Sequence, residues 1–181
     1  MAKYINPDVL DASLDMIADA DKASACSAQP ATYYEACNPA AWTSAMSAIL
    51  EDAVRPTARN GYVYECTTAG TAGTTEPVWP TTAAETVTDG TIVWTCRANH
   101  CLAAVSLASG DFTIADGTTG RKITIAEKAG LTIHTTGDVS HTALISDVNK
   151  SLILVTTCIT QTLTQGNVVN MASFSDEVSL T

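Results

Sequence analysis

The stretch GYVYECTTAGTAGTTEPVWPTTAAETVTDGTIVWTCR, residues 61–97, decides the fold of the middle of this chain. An alternating run at 62–66 opens it and a second run at 91–96 closes it, a pattern typical of two paired strands. The connection is rich in Gly, Thr and Pro and has a turn at Asp89-Gly90. Because Pro cannot donate a ladder hydrogen bond, the prolines beside Trp79 exclude that segment from a central strand. The stretch predicts a small, self-contained β module with Trp79 lying over its end.

Four parts of this stretch resemble a short module that is widespread in tailed-bacteriophage virion proteins. They are a Tyr-x-Cys strand, an Ala-Gly-Thr-x-Gly turn, a Glu-Pro-x-Trp-Pro segment and an Asp-Gly-x-x-x-Trp turn, found here at 64–66, 69–73, 76–80 and 89–94. The resemblance covers about a fifth of the chain. It implies a virion protein and leaves open which part of the particle contains the module.

The composition favours a mainly β protein and excludes several partners. The chain has 181 residues, a net charge of −10 and 28 threonines, and Thr with Val and Ile favours strands. Only nine residues are Lys or Arg, with no cluster that could follow a phosphate backbone, so nucleic-acid binding is not expected. No apolar run is long enough to cross a membrane, and the first residues lack the apolar core of a signal peptide. We expect synthesis in a host cytoplasm and no membrane partner.

Residues 1–37 predict an N-terminal helix followed by an extended arm. Asn6 and Pro7 form a helix start, with Asn as N-cap and Pro in the first turn. Residues 20–37 are rich in Ala and Ser and are interpreted as an extended connection lying along a neighbouring surface. The apolar stripe of the helix and two tyrosines are the candidate docking residues: Leu10, Leu14, Ile17, Tyr33 and Tyr34.

Residues 38–60 predict a second helix and a linker before the module at 61–100. Asn38-Pro39 repeats the helix-start pattern, and Trp42 and Met46 follow at helical spacing. Pro56 should end that helix near Arg55, since the residue before a proline avoids the helical region.

Residues 101–181 predict a β-sandwich of immunoglobulin-like shape. About seven short strands alternate with turn signals, including Asp116 to Gly120 and Gln165 to Asn167. The last four strands are predicted at 151–158, 160–163, 168–171 and 177–180. A further turn at 136–138 predicts a hairpin between the strands that carry His134 and His141. The expected fold is therefore mainly β, with short N-terminal helices and an inserted module.

This C-terminal half is also similar to a family of phage structural proteins. The similarity lies in Gly-Asp-Phe-Thr at 110–113, Asp-Gly-Thr-Thr-Gly-Arg-Lys at 116–122, and the segments 156–158 and 163–167. It implies an assembly component of the head, neck or tail, and it makes residues 38–100 an insertion into the parent fold. It supplies no catalytic residues.

Six cysteines leave two interpretations open. In the first, the cysteines are small buried hydrophobic residues in a reducing compartment. In the second, some of them form disulfides after host lysis. Cys66 and Cys96 are the candidate disulfide, because each closes one of the two runs predicted to pair. A metal site has the least support, since no Cys-x-x-Cys occurs. No cofactor is expected.

Enzymatic activity is not expected, because nucleophile and phosphate-loop motifs are missing. Glu76, in its turn motif, is predicted to cap backbone N–H groups. Two functions are weighed. The first is a virion structural protein, a decoration, collar or spike subunit that forms a homo-oligomer, favoured as a trimer, and docks on major capsid or neck proteins. The alternative is a host-surface glycan-binding module that uses Tyr62, Tyr64 and Trp79, with Trp94 expected in the core.

Overall fold

The computed structural model describes residues 6–179 and is mainly β, as predicted. Two α-helices, α1 (Pro7–Ala18) and α2 (Tyr33–Ala36), and a 3-10 turn at Ser109–Asp111 accompany the strands. The strands are β1 (Lys22–Cys26), β2 (Ser47–Ala48), β3 (Ala53–Val54), β4 (Tyr62–Thr68), β5 (Gly70–Thr71), β6 (Thr86–Asp89), β7 (Ile92–Ala98), β8 (Cys101–Ser106), β9 (Phe112–Asp116), β10 (Gly120–Ile125), β11 (Lys128–Thr132), β12 (Gly137–Ser146), β13 (Ser151–Leu163), β14 (Val168–Met171) and β15 (Phe174–Ser179).

Within residues 6–179 the strands form five antiparallel sheets. Two sheets have four strands, in the orders β13-β12-β1-β8 and β3-β4-β7-β6, and the second of these is the centre of the module. A three-stranded sheet has the order β15-β10-β9. Two small ladders, β11-β14 and β2-β5, complete the set.

Helix α1 begins where the sequence predicts it. The Asn6 side chain accepts a hydrogen bond from Asp8 N, and Pro7 occupies the first helical position. The helix does not project as an arm, because Arg121 of β10 donates to Asp11 from two guanidinium nitrogens, Nε at 2.6 Å and Nη2 at 3.0 Å. Leu14 is fully buried between the sheets.

The segment expected to be an extended connection contains the strand β1, and this is a correction. Strand β1 pairs with β12 on one side and β8 on the other, so it lies inside the sheet. Its sequence, Lys-Ala-Ser-Ala-Cys, has little intrinsic β preference, and pairing on both sides determines its conformation. Deleting residues 1–37 would therefore remove a central strand.

The sheet β13-β12-β1-β8 has a core on each face. Leu144 and Ala23 share one cluster with Ile123 and Ile125 of β10 and with Leu14. On the opposite face, Cys26, Ala143 and Ile145 pack against Tyr33 and Cys37 and reach Val63 of the module. The second core joins the module to the rest of the chain.

No helix forms between 38 and 55, where one was predicted. Ala45 and Glu51 take left-handed φ angles of 57° and 70°, which interrupt a right-handed helix. Trp42 N instead donates to Arg55 O at 2.8 Å, and the Trp42 side chain packs on the module core. The module thus extends back to about residue 41 and is larger than the predicted range of 61–100.

The predicted turn at Asp89-Gly90 is present, and it requires glycine. Gly90 has a φ of 62°, and a Cβ built there would lie 2.3 Å from Thr71 O and 2.8 Å from Gly73 N. The turn therefore packs directly against the Ala-Gly-Thr-x-Gly segment of residues 69–73.

The C-terminal strands follow the prediction in most places. The hairpin of β9 and β10 turns at 117–120, where Glu177 of β15 accepts from Thr119 N at 2.6 Å. β13 is one continuous strand, although separate strands were predicted on either side of Ile159. The hairpin predicted around Gly137 is wrong, because β11 pairs with β14 whereas β12 pairs with β1 and β13. Leu180, expected at the end of the last strand, lies outside the described residues.

Candidate functional site

Three aromatic rings form a cluster inside the module. The Tyr64 and Trp79 ring centroids lie 4.3 Å apart, and those of Trp79 and Trp94 lie 6.3 Å apart. Tyr64 and Trp94 are completely buried, whereas Trp79 is half-buried at the edge of the cluster. Trp94 is in the core, and Trp79 packs over it, in agreement with the sequence predictions for both.

The carboxyl group of Asp89 connects this aromatic cluster to two loops. Its Oδ2 accepts from the indole N–H of Trp42 at 2.7 Å and from that of Trp94 at 3.2 Å. Its Oδ1 accepts from Gly73 N at 2.7 Å. Asp89 is itself buried, so these three donors satisfy a carboxyl group that would otherwise be costly to remove from water. The role of the Asp-Gly motif is therefore structural.

Glu76 is a second connecting group, and its predicted capping role is confirmed. Its Oε1 accepts from Thr57 N at 2.8 Å and from the indole N–H of Trp79 at 2.9 Å. Burial alone would raise the pKa of Glu76, but these hydrogen bonds to the ionised carboxylate outweigh it and lower the pKa. Glu76 thereby fixes both the bend at Thr57, between β3 and β4, and the orientation of Trp79.

The three residues predicted to contact glycan or partner are not presented as one platform. Tyr64 has no exposed surface, and its hydroxyl donates to Pro80 O at 2.6 Å. Trp79 covers the Tyr64 ring with one face. Tyr62 is half-buried and lines a small cavity beside Gly61. Burial therefore excludes Tyr64 from stacking on a ligand. The alternation of residues along the strand did not predict this burial.

The predicted docking residues also pack within the chain. Leu14 and Tyr33 are buried, and Ile17 packs on the Leu14 cluster. Leu10 and Tyr34 are half-buried, and the hydroxyl of Tyr34 donates to Glu51 O at 3.1 Å. The Tyr33 hydroxyl donates to Asp147 Oδ1 at 2.9 Å. Leu14, Ile17, Tyr33 and Tyr34 therefore pack within the chain and do not form a free docking stripe.

The predicted disulfide between Cys66 and Cys96 is not formed. Both thiols are free and buried, and the strand register places Cys66 opposite Trp94 and Cys96 opposite Tyr64. The sequence placed both cysteines on paired strands but could not give their register. Cys26 and Cys101 are the pair that face each other, across β1 and β8, and they are also free thiols.

Cys101 lies beside a histidine, in the arrangement that a cysteine nucleophile would use. Its Sγ is 3.6 Å from Nε2 of His134. Burial raises the pKa of Cys101 to about 12 and lowers the pKa of His134 to about 4, with Arg59 and Arg55 lowering the latter further. Both groups are therefore neutral near pH 7, so the pair is a buried contact without thiolate character.

His134 makes the stability of the fold depend on pH. An unfolded histidine binds its proton near pH 6.5, whereas His134 in the fold stays neutral until about pH 4. The free energy of unfolding is at its full value above about pH 6.5 and decreases as the pH falls toward 4, because the unfolded chain then binds a proton that the folded chain does not. The decrease reaches about 2 kcal/mol at about pH 5. We expect His134→Gln to lose this decline in urea unfolding between about pH 7 and pH 5. Equal slopes for the wild type and His134→Gln would contradict the assignment.

The outer edge of β13 is a long and uncharged surface. β13 ends its sheet, and across 13 residues it contains no Lys, Arg, Asp, Glu or Pro. The register shifts between its pairs with Val139 and His141, which makes a bulge at 158–160, and Ile159 there is 90% exposed. Beside this bulge lies an apolar cavity of ≈400 Å³, lined among others by Leu131, Val169 and Phe174.

Across residues 6–179 no three His, Cys, Asp or Glu side chains are grouped in a way that could hold a metal ion. In the same part of the chain, neither helix has the length and apolar character needed to cross a membrane.

Comparison with known proteins gave no relative. No protein-family model matches the chain, no curated protein matches it, and no solved structure matches it. Its function therefore has to be inferred from its own residues and contacts.

Proposed function

We propose that this protein is a structural subunit of a tailed-phage virion, a decoration, collar or spike protein that acts by self-association. The residues that resemble phage virion modules support the proposal, because Asp89, Gly90 and Glu76 of those motifs are the groups that hold the module together. On this proposal the protein resides in the particle and docks on capsid or neck proteins. It has no catalytic role and no nucleic-acid or membrane partner.

The observation that carries the proposal is the outer edge of β13. Monomeric β proteins protect long edges with charged residues or proline, and β13 has neither in a chain of net charge −10. A second copy can approach this strand without bringing like charges together. The exposed Ile159 and the cavity beside it supply apolar surface that a neighbouring subunit would bury.

The symmetry we favour is a trimer. Ile159 itself lines the cavity, so the two form one patch. In a trimer this patch contacts a different surface of the next copy, a head-to-tail contact whose rotation closes at three copies. We further propose that the sheets β13-β12-β1-β8 and β15-β10-β9 are the two layers of an immunoglobulin-like sandwich. The shared cluster of Leu144 and Ile123 supports that description.

The surface that docks on another virion protein must consist of side chains that remain exposed in the folded chain. The buried Leu14 and Tyr33 cannot serve, but Val9 and Met16 of α1 remain outside at 60% and 69% exposure. They lie seven residues apart and therefore on one face of the helix. That face is the docking surface consistent with the fold.

A charge placed on β13 tests the self-association. Ile159→Lys should shift the protein to monomer, because a lysine at the interface would be desolvated without a partner. Val78→Lys is the matched control, since Val78 is an exposed valine on the module, 94% exposed, and its replacement should leave the mass unchanged. The readout is mass by light scattering. Equal masses for the two variants and the wild type would show that β13 does not form the interface.

The alternative function, host-surface glycan binding, retains one supporting observation. Of its three candidate residues, Tyr62 lines a cavity, whereas Tyr64 is buried and Trp79 lies over it. Any saccharide contact would therefore be centred on Tyr62 rather than on an aromatic platform.

A further inference from the structure

The small cavity beside Tyr62 lies where three parts of the chain meet. Its volume is ≈180 Å³, and it is open at one side. The end of β1 and the start of β8 contribute Ser27 and Cys101, and the module contributes Arg59 and Tyr62. The segment between β11 and β12 contributes 135–137, which includes the hydroxyls of two threonines.

The charges around this cavity differ from those of the rest of the molecule. Ion pairs engage five of the Lys and Arg residues: Lys22, Arg97, Arg121, Lys128 and Lys150. Three others in the described part of the chain, Arg55, Arg59 and Lys122, form no salt bridge with a carboxylate of residues 6–179. In a chain with 19 acidic residues, two arginines without an acidic partner at one place are a marked exception.

The two arginines act on the same small region. Desolvation lowers the pKa of Arg59, and the neighbouring charge of Arg55 lowers it further. Both arginines also lower the pKa of His134, which is adjacent to Thr135 in the cavity wall. Arg55 Nε is buried and has no hydrogen-bond partner among the described residues. Arg59 therefore brings a positive charge to the cavity wall, with Arg55 outside the lining, and no carboxylate of residues 6–179 forms a salt bridge with either arginine.

The donors of the cavity match an oxyanion. A guanidinium carries five N–H donors, and the hydrogen bond from Arg59 Nη2 to Asn38 Oδ1 uses one of them. The Thr136 hydroxyl oxygen accepts from Gln165 N at 3.0 Å, which leaves its O–H free to donate elsewhere. No Asp or Glu lines the described cavity, so its walls present no like charge to an anion.

We propose that this cavity is a binding site for a small oxyanion, a carboxylate, phosphate or sulfate group, with Arg59 as the charged ligand contact. An anion there would receive charge-assisted hydrogen bonds from a partly desolvated guanidinium, which are about twice as strong as neutral ones. The volume admits a free inorganic ion or the acidic end of one sugar residue. Tyr62 at the wall provides an aromatic face for the sugar ring in the second case.

The proposal is independent of virion assembly, because the cavity and the outer edge of β13 have no lining residue in common. Failure of self-association would leave the cavity as it is, and absence of anion binding would leave the β13 interface untouched.

NMR titration of the full ¹⁵N-labelled chain at constant ionic strength tests the proposal. The probes are sodium phosphate, sodium sulfate and sodium glucuronate, with glucose as the uncharged control. We expect saturable shifts at the amides of Gly61, Tyr62 and 135–137 with at least one anion and none with glucose. Saturation by glucuronate alone identifies a sugar acid as the source of the anion, and saturation by phosphate or sulfate identifies an inorganic ion or its ester.

Variants decide whether Arg59 is the contact. Arg59→Gln should weaken binding at least about tenfold, since it removes a charged donor. Lys122→Gln is the matched control, because it removes one unpaired charge away from the cavity and should leave the affinity unchanged. If Arg59→Gln does not fold, Arg55→Gln takes its place with an expected loss of about threefold. No saturable shift with any anion, or equal losses for the arginine and lysine variants, would overturn the proposal.

Discussion

Asp89→Ala is expected to destabilise the protein by at least about 3 kcal/mol, with loss of the native tryptophan environment. The change leaves three donors without their acceptor: the indole N–H groups of Trp42 and Trp94 and the backbone N–H of Gly73. Each buried donor left unsatisfied costs about 1–3 kcal/mol. Asp89→Asn should be intermediate, since one side-chain oxygen still accepts while the new NH₂ group faces donors.

Urea unfolding followed by tryptophan fluorescence measures this effect selectively. All three tryptophans, Trp42, Trp79 and Trp94, belong to the module, so the signal reports that part of the chain. Glu85→Ala is the control, because Glu85 is an exposed acid in the same module. Similar unfolding midpoints for Asp89→Ala and Glu85→Ala would show that the carboxyl group does not hold the module together.

Leu14→Ala is expected to cost about 2–5 kcal/mol, the range for a fully buried leucine replaced by alanine. Leu14 is enclosed by Ile123, Ile125 and Leu144 from two sheets, and few of these side chains can move to fill the space. The loss should appear as a lower urea midpoint in far-UV circular dichroism, which follows the whole β structure.

Met16→Ala is the matched control on the same helix. Met16 is 69% exposed, so its truncation should change stability by no more than about 0.5 kcal/mol. A large difference between the two variants is the signature of a helix that belongs to the core. If both variants were as stable as the wild type, α1 would be a detachable arm, as the sequence first indicated.

Local signals predicted a large part of the fold. Asn6-Pro7 located the start of α1, since capping acts within one helical turn. Glycine-containing turns located the β9–β10 hairpin and the turn before β14, because turn chemistry is set by the residues of the turn itself. The pairing of β4 with β7 followed from two alternating runs.

The errors arise where distant residues decide the structure. The segment after Asn38 has a helix-start pattern, yet Trp42 bonds Asp89, 47 positions away, and that contact outweighs the local preference. The strand β1 is weak by composition and exists because β8 and β12 flank it. The disulfide prediction failed for the same reason, since strand register is a tertiary property.

The candidate sites were harder to predict than the fold. The aromatic residues of the module suggested Tyr64 and Trp79 as ligand contacts. Their positions depend on hydrogen bonds to Pro80 O and to the Glu76 carboxylate, which the sequence does not reveal. Arg55 and Arg59 carried no signal in the sequence beyond being rare cations in an acidic chain. Only the ion pairs of the other basic residues reveal that these two have no acidic partner in the described part of the chain.

The most direct test of the proposed function is the solution mass of the wild-type protein, measured by light scattering over a wide concentration range. A self-associating virion subunit predicts a discrete multiple of 18.9 kDa, with three copies as the favoured number. A constant mass of one chain at every concentration would contradict self-association through β13.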